Sequence, residues 1–273
     1  MSEPQLVHFL GPEGTFAHSA ALKYFADAAV TLAPENDILS VFDAVRANSN
    51  ALGVVPIENS IEGSVSLTLE ALLEHTELRI VGEVTVNVEQ CLVGFGPLDV
   101  IDTVYSHPHG LAQCKHWLRA HLPNAKRTAL GSTSAGAFLV KNEPRSAAIA
   151  SELAAQLAAV PVLHRAIQDG KQNATRFFVL GRTLPPPSGD DQTSVVFGAA
   201  HRQGALYEIL GIFAQEGINL SRIESRPKPG RMWQYIFYAD LEGHASDERL
   251  AKALARLNEQ APMCRVLGTY RRG

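Results

Sequence analysis

The feature that most constrains the fold is a break: Arg182-Thr183-Leu184-Pro185-Pro186-Pro187-Ser188-Gly189-Asp190-Asp191-Gln192, in which three prolines lead into small and acidic residues. Proline fixes φ and has no N–H to give, so such a run neither continues a helix nor sits in a central strand. Residues 182–192 are therefore predicted to be a linker, which leaves a larger unit over 1–181 and a smaller one over 193–273.

In the larger unit, short apolar runs alternate with polar loops and helical periodicity, the pattern of an α/β sheet. Gln5 to Leu10 leads to Gly11-Pro12-Glu13-Gly14-Thr15, after which Phe16, Ala20, Ala21, Tyr24 and Phe25 share a helical face. Ala51 to Pro56 leads to Ile57-Glu58-Asn59-Ser60-Ile61-Glu62-Gly63-Ser64 and a helix bearing Leu67, Leu69, Leu72 and Leu73. Val100 to Ser106 leads to His107-Pro108-His109-Gly110 and a helix through Leu111, Cys114 and Leu118. Arg127 to Leu130 leads to Gly131-Ser132-Thr133-Ser134, followed by Ala135, Phe138 and Leu139.

Strand exits of this kind gather at the carboxyl edge of a sheet, where helix starts offer free N–H groups and a positive dipole end. Four such exits predict an anion-binding cleft, although Thr15, Ser64 and Ser134 each also suit a plain N-cap. Thr85 to Gly94 is extended enough to cross between two lobes and Pro161 to Arg165 to return, which predicts a bilobal unit with a hinged cleft.

The smaller unit reads as strand Ser194 to Gly198, a helical stripe of Ala205, Leu206, Ile209, Leu210, Phe213 and Ala214, and strands Ile218 to Ser225 and Met232 to Asp240. A second stripe of Leu250, Ala253, Leu254 and Leu257 and a strand Arg265 to Tyr270 complete a βαββαβ order, that of a ferredoxin-like sandwich. One face of such a sheet carries no helix, so pairing with a second copy is expected to protect it.

Composition excludes several classes. With 46% hydrophobic and 19% charged residues the chain reads as a soluble globular protein, and a formal net charge of −4 without a basic block gives no footprint for nucleic acid. Cys91, Cys114 and Cys264 are odd in number and outside any CxxC spacing, so neither a disulfide framework nor a metal site is indicated. The N-terminus lacks a basic region and cleavage site, and no apolar run reaches membrane length, so a cytoplasmic location is expected.

The chemistry concentrates at Asn173-Ala174-Thr175-Arg176-Phe177, where a hydroxyl and a guanidinium precede the apolar run Phe177 to Leu180. Arginine presents a fixed charge and a planar fork for a carboxylate, and threonine a stiffly held proton donor. The pair suits an anionic substrate with a leaving hydroxyl; equally, Arg176 can brace the loop that Thr175 caps.

These residues resemble those of the prephenate dehydratase family over nearly the whole chain, in the form without a fused chorismate mutase. Gly11-Pro12-Glu13-Gly14-Thr15-Phe16 is similar to the family's first loop, Val55 to Ser64 to its substrate loop, and Thr175-Arg176-Phe177 to its catalytic Thr-Arg-Phe motif. The smaller unit resembles an ACT domain through Gly204-Ala205-Leu206 and Glu224-Ser225-Arg226-Pro227, with Asn219 and Leu220 in the adjoining strand. The resemblance implies a bilobal, periplasmic-binding-protein-like α/β catalytic unit followed by a regulatory ACT domain that binds L-phenylalanine, and a homodimer or dimer of dimers.

By the same resemblance Thr175 is the catalytic residue, and Glu58, Asn59, Ser60, Thr133, Arg176 and Phe177 line the site. Where family members often carry Ser-His-Pro-Gln-Ala, this chain has Ser106-His107-Pro108-His109-Gly110, so His109 stands in place of a neutral amide. The implied reaction converts prephenate to phenylpyruvate with loss of carbon dioxide and water; aromatisation drives it, and no metal or organic cofactor is required. Thr175 would protonate the departing hydroxyl, Asn59, Ser60 and Thr133 would orient the acid groups, and Glu58 would position a neighbour, since like charges repel. Arogenate dehydratase, acting on the amino-acid analogue, and a non-catalytic amino-acid sensor are the alternative readings.

Overall fold

The computed structural model describes residues 4–170, 172–228 and 234–273. They divide into two compact units, one of 1–71 and 84–177, the other of 72–83 and 178–273.

The first unit holds two sheets. β1 (Gln5–Leu10), β2 (Val30–Glu35) and β3 (Leu52–Asn59) pair in parallel in the order β2-β1-β3, joined by α1 (Phe16–Tyr24) and α2 (Ile38–Ala47). β4 (Gly63–Ser64) folds back on β3, and α3 (Ser66–Glu74) follows it. Val7, Phe9, Val54, Val55 and Ile57 are buried with Val41, Phe42 and Val45 of α2, a nearly continuous apolar strand signal of the kind a doubly covered parallel sheet needs. β5 (Arg79–Asn87) then leads the chain to the second sheet, as the extended segment from Thr85 predicted.

That second sheet contains β6 (Cys91–Gly94), β7 (Thr103–Ser106), β8 (Lys126–Ala129), β9 (Ser146–Ala150) and β10 (Val162–His164), ordered β10-β6-β9-β7-β8. Its helices are α4 (Pro108–Gln113), α5 (Lys115–His121), α6 (Thr133–Leu139) and α7 (Glu152–Ala158). Cys91, Val93, Ala148 and Ala150 pack on Ala137, Ala154, Ala155 and Ala158, while Leu92, Val104, Ala147 and Ile149 face Cys114 and Leu118. The return is made by β11 (Ala174–Gly181), which lies beside β3, and not by the expected Pro161 to Arg165 stretch, which holds β10 of the second sheet. The two crossings are tied together where Val88 N donates to Asn173 O at 2.8 Å.

Two helices depart from expectation. The stretch through Leu111, Cys114 and Leu118 is two helices, broken at Cys114; the Asp169 carboxylate accepts from the His116 and Trp117 N–H groups and starts α5 afresh. In α6 the buried positions are Ser134, Gly136 and Ala137, and Phe138 is exposed. Close approach explains this: a Cβ on Gly136 would lie 2.9 Å from Ala148 Cβ, so small residues and not large apolar ones face the sheet.

The second unit has the βαββαβ order: β12 (Asp191–Gly198), α8 (Ala205–Gln215), β13 (Leu220–Pro227), β14 (Tyr235–Glu242), α9 (Glu248–Gln260) and β15 (Cys264–Arg271), with sheet order β13-β14-β12-β15. Val195, Phe197, Ala239 and Leu241 meet Ile209, Ile212, Phe213, Leu250, Ala253 and Leu257 in its core. The expected linker residues Asp191 and Gln192 are the first of β12, where the Asp191 carboxylate accepts from Ser188 N and Oγ at 2.7 Å and the backbone pairs with β14 and β15. The start of the third strand expected at Met232 lies outside the described residues.

The helix-free face of this sheet, expected to be protected by a second copy, is partly covered within the chain. Ser194, Asp240 and Tyr270 are buried on it in a hydrogen-bonded cluster, Ser194 Oγ lying 2.5 Å from Asp240 Oδ1 and 2.6 Å from Tyr270 Oη, with Phe178 against the Tyr270 ring. The segment 72–83 adds to this unit: Gly268 pairs with Ile80, and a Cβ on Gly268 would fall 2.0 Å from Ile80 O, so only glycine permits the contact. The edge strand β13 keeps alternating exposed positions, Ile223 among them.

Candidate active site

The first strand exit supplies a rigid loop. Thr15 caps α1, accepting from His18 N and donating to Leu10 O at 3.0 Å, so its proton is used within the loop. Gly14, at φ 82°, donates its N–H to His18 Nδ1 at 3.0 Å, and its carbonyl accepts from Ser151 Oγ at 2.6 Å. Because Nδ1 accepts, the His18 ring is neutral with its proton on Nε2; burial lowers its pKa, opposed by Glu13.

The second exit meets the last strand. Asn59 ends β3, and its Oδ1 accepts from Ile61 N at 2.9 Å and Glu62 N at 3.1 Å, the geometry of an Asx turn. Those two donors fix the amide: Nδ2 must face the other way, where it donates to Thr175 Oγ1 at 2.9 Å and Asn173 Oδ1 at 2.8 Å. Thr175 Oγ1 is thus an acceptor towards Asn59, and its own proton is left for a ligand. Ser60 does something else. Its N–H donates to Ala174 O at 2.9 Å and its Oγ accepts from Ala174 N at 3.0 Å, which braces the start of β11.

The third and fourth exits face them. His107 caps α4 and takes the His109 N–H on Nδ1; burial and the neighbouring His109 lower its pKa, opposed by Glu62. Glu62, from the turn after β3, accepts from Gln113 Nε2 at 3.1 Å and pairs with His109 Nδ1 at 2.8 Å, so one carboxylate holds both side chains of α4. Ser132 caps α6, and Thr133 begins it.

These groups surround a cleft of about 370 Å³ whose lining includes Thr15, Asn59, Gln90, His107, Thr133 and Thr175. Of the expected site residues, the structure brings Asn59, Thr133, Thr175, Phe177 and His109 to this cleft; Glu58, Ser60 and Arg176 are not in its lining. Arg176 departs because Thr175 is not in a loop: β11 begins at Ala174, so Thr175 and Phe177 share one face of the strand and Arg176 takes the other. Among the described residues no lysine or arginine lines the cleft, so the donors open to an anion are side chains such as Thr133 together with the backbone N–H groups at the starts of α1, α4 and α6.

The sequence reading missed Gln90, Glu62, His107 and Gln113 as lining residues. Glu62 and His107 lie in strand exits that the sequence marked as polar, whereas Gln90 and Gln113 carry no local signal, since their place depends on how the two sheets face each other. Burial pushes the Cys114 thiol up to about 12 and raises that of Cys91, so both are held as thiols away from reactive chemistry. No cluster able to hold a metal ion occurs among the described residues.

In the second unit Ala205 and Leu206 line a separate cavity of about 370 Å³ with Gly198, His201, Lys228 and Tyr235. Gly204, at φ 79°, starts α8 beside it. Asn219 lines a different cavity with Glu242 and Gly243, and Leu220, Glu224, Ser225, Arg226 and Pro227 lie along β13, where Glu224 pairs with Arg222. One chain therefore does not gather the expected effector residues into one pocket.

The prephenate dehydratase family model matches residues 7–184, and the ACT domain model matches 193–259. This chain belongs to the prephenate dehydratase family. The bifunctional chorismate mutase/prephenate dehydratase of Pseudomonas aeruginosa is 42% identical over 272 residues, 99% of this chain and 74% of that protein. The Arthrobacter aurescens prephenate dehydratase, solved in complex with L-Phe, superposes with a TM-score of 0.88 at 40% identity, covering 98% of this chain and 90% of that one. A protein described as GqqA, a novel type of quorum quenching acylase, is 30% identical with a TM-score of 0.87 over 98% of both chains. The prephenate dehydratase fold is thus shared by proteins named for different activities, so the fold alone does not set the reaction. Among the described residues no helix is long and apolar enough to cross a membrane.

Proposed function

We propose that the chain catalyses the decarboxylating dehydration of prephenate to phenylpyruvate and that L-phenylalanine regulates it through the C-terminal ACT domain. The observation that carries the reading is the Asn59–Thr175 hydrogen bond at 2.9 Å. Asn59 can only donate through Nδ2, so it holds the Thr175 oxygen while leaving the Thr175 proton for the substrate's ring hydroxyl. Departure of that hydroxyl with the proton forms water; the bond to the ring carboxylate breaks, carbon dioxide leaves and its electron pair completes the aromatic ring. Thr175 is a weak acid, so proton transfer is concerted with C–O cleavage and the oxygen is reprotonated from solvent.

The same bond argues against Thr175 as an acyl-transfer nucleophile, which needs a base to take its proton. Asn59 presents an N–H and not a lone pair, and among the described residues no base contacts the hydroxyl. Thr133 and the helix starts are assigned to the carboxylates, His109 to holding Glu62, and Ser60 to bracing Thr175. Glu58 and Arg176 are assigned to support of β3 and β11 from outside the cleft.

Residues 1–181 are proposed as the catalytic region and 193–273 as the regulatory one. The separation of Ala205 and Leu206 from Asn219 favours an effector site completed by a second copy, hence a homodimer, and biosynthetic chemistry on a soluble dianion favours the cytoplasm. The test is conversion of prephenate by the purified protein, followed as phenylpyruvate absorbance in alkali, with L-arogenate in parallel. A kcat/KM at least tenfold higher for prephenate is expected; equal or higher activity on arogenate would reassign the substrate, and none on either would leave a sensor.

A further inference from the structure

We propose that Gln90 is a substrate-binding residue whose side-chain oxygen accepts the hydrogen of the leaving hydroxyl. This rests on the prephenate reading above. Gln90 lies between β5 and β6 and lines the same cleft as Thr175, with only 3% of its surface exposed. Its backbone is locked, N–H to Gln168 Oε1 at 2.9 Å and carbonyl from Ile167 N at 2.9 Å.

A relay of hydrogen bonds sets the direction of its side chain. The Glu62 carboxylate takes Nε2 of Gln113 at 3.1 Å, which turns Gln113 Oε1 towards Gln90; that oxygen takes Gln90 Nε2 at 3.1 Å. A carboxylate that also holds His109 accepts at both oxygens, so the relay has one polarity and ends with Gln90 Oε1 as an acceptor. Gln90 Oε1 is buried and has no hydrogen-bond partner. Buried amide oxygens are almost always satisfied, and one left over on a residue that lines a ligand-sized cleft marks where a ligand donor goes.

The ligand's chemistry selects the donor. Prephenate as a dianion carries two carboxylates and a ketone, all acceptors, which the Gln90 oxygen would repel. Its ring hydroxyl is the one donor it has. With the hydroxyl hydrogen held by Gln90 and a second proton arriving from Thr175, the leaving group is oriented as the water it becomes. The carbon–oxygen bond breaks with its electron pair on oxygen; Gln90 keeps its own protons and gains none.

The experiment compares prephenate with its analogue in which the ring hydroxyl is replaced by hydrogen, on the full-length protein and its Gln90→Met variant. In the unsubstituted protein the analogue's inhibition constant is expected to lie at least tenfold above the KM for prephenate. Gln90→Met is expected to lower kcat/KM for prephenate 10- to 100-fold while changing the analogue's inhibition constant less than twofold, because a loss through disturbed packing would weaken both. Gln90→Leu provides the same comparison if the methionine variant does not fold, and the first comparison needs no variant. Parallel weakening of both ligands, unchanged kcat/KM, or equal affinity of the unsubstituted protein for both would overturn the inference alone. No turnover of prephenate by the unsubstituted protein would overturn it together with the functional reading.

Discussion

The amide nitrogen of Asn59 reaches Thr175 Oγ1 over 2.9 Å although 116 residues separate them in the chain. The bond joins the end of β3 to the start of β11, and it gives the hydroxyl a fixed orientation that an isolated threonine lacks. Asn59→Asp replaces the donor with an acceptor, so the Thr175 proton would turn to the new carboxylate and away from the substrate. The expected result is a fall in kcat of about 10²–10⁴ with KM within about fivefold, measured by steady-state turnover.

The Glu62 link to α4 should matter less. Its partner His109 has 63% of its side chain exposed and Glu62 39%, and exposed ion pairs contribute about 1 kcal/mol or less. His109→Gln keeps a donor for Glu62 and is expected to change kcat/KM less than about fivefold. A hundredfold loss would give His109 a direct part in the chemistry.

The loop at Gly14 carries a pH dependence. His18 is held neutral by burial, opposed by Glu13, so its folded pKa lies below the ordinary 6.5. As pH falls through that value the unfolded chain takes the proton first, so stability is full above about 6.5 and declines below it until the folded ring also protonates. His18→Gln offers an oxygen to the Gly14 N–H and does not titrate. Its melting temperature is expected to fall less than that of the unsubstituted protein between pH 7.5 and 5.5, as read by circular dichroism; equal declines would remove His18 as the cause.

Regulation is best tested by substitution. Cutting the chain after Gly181 would strip Ile80 of Gly268 and Leu72 and Leu73 of the Arg265 guanidinium, exposing buried apolar surface in the remaining piece. Gly204→Val instead strains a left-handed position at the start of α8, remote in sequence from the cleft residues. It is expected to raise the L-phenylalanine concentration for half-inhibition at least tenfold while leaving kcat for prephenate within about threefold. Unchanged inhibition would place the effector elsewhere.

The sequence carried the strand exits and the βαββαβ order because both are local patterns: apolar runs of strand length, helical stripes and turn residues between them. Thr175 and Arg176 looked polar enough for a loop, whereas pairing beside β3 draws them into β11, and alternation leaves Arg176 out of the cleft lining. The role of 72–83 had no local signal, since the contact of Ile80 with Gly268 spans the chain and shows only as a glycine. Gln90 and Gln113 were invisible for the same reason: their meaning lies in a relay that begins at Glu62 on another loop.

The reaction turns on the Thr175 hydroxyl, which donates the proton that carries the leaving hydroxyl away. The most direct measurement is the turnover of prephenate by Thr175→Ala beside Thr175→Ser, each checked for an unchanged circular dichroism spectrum. The alanine variant is expected to lose at least about 10² in kcat with KM within a few-fold, and the serine variant to retain most of the activity. An alanine variant that turns over prephenate at a near-normal rate would contradict it.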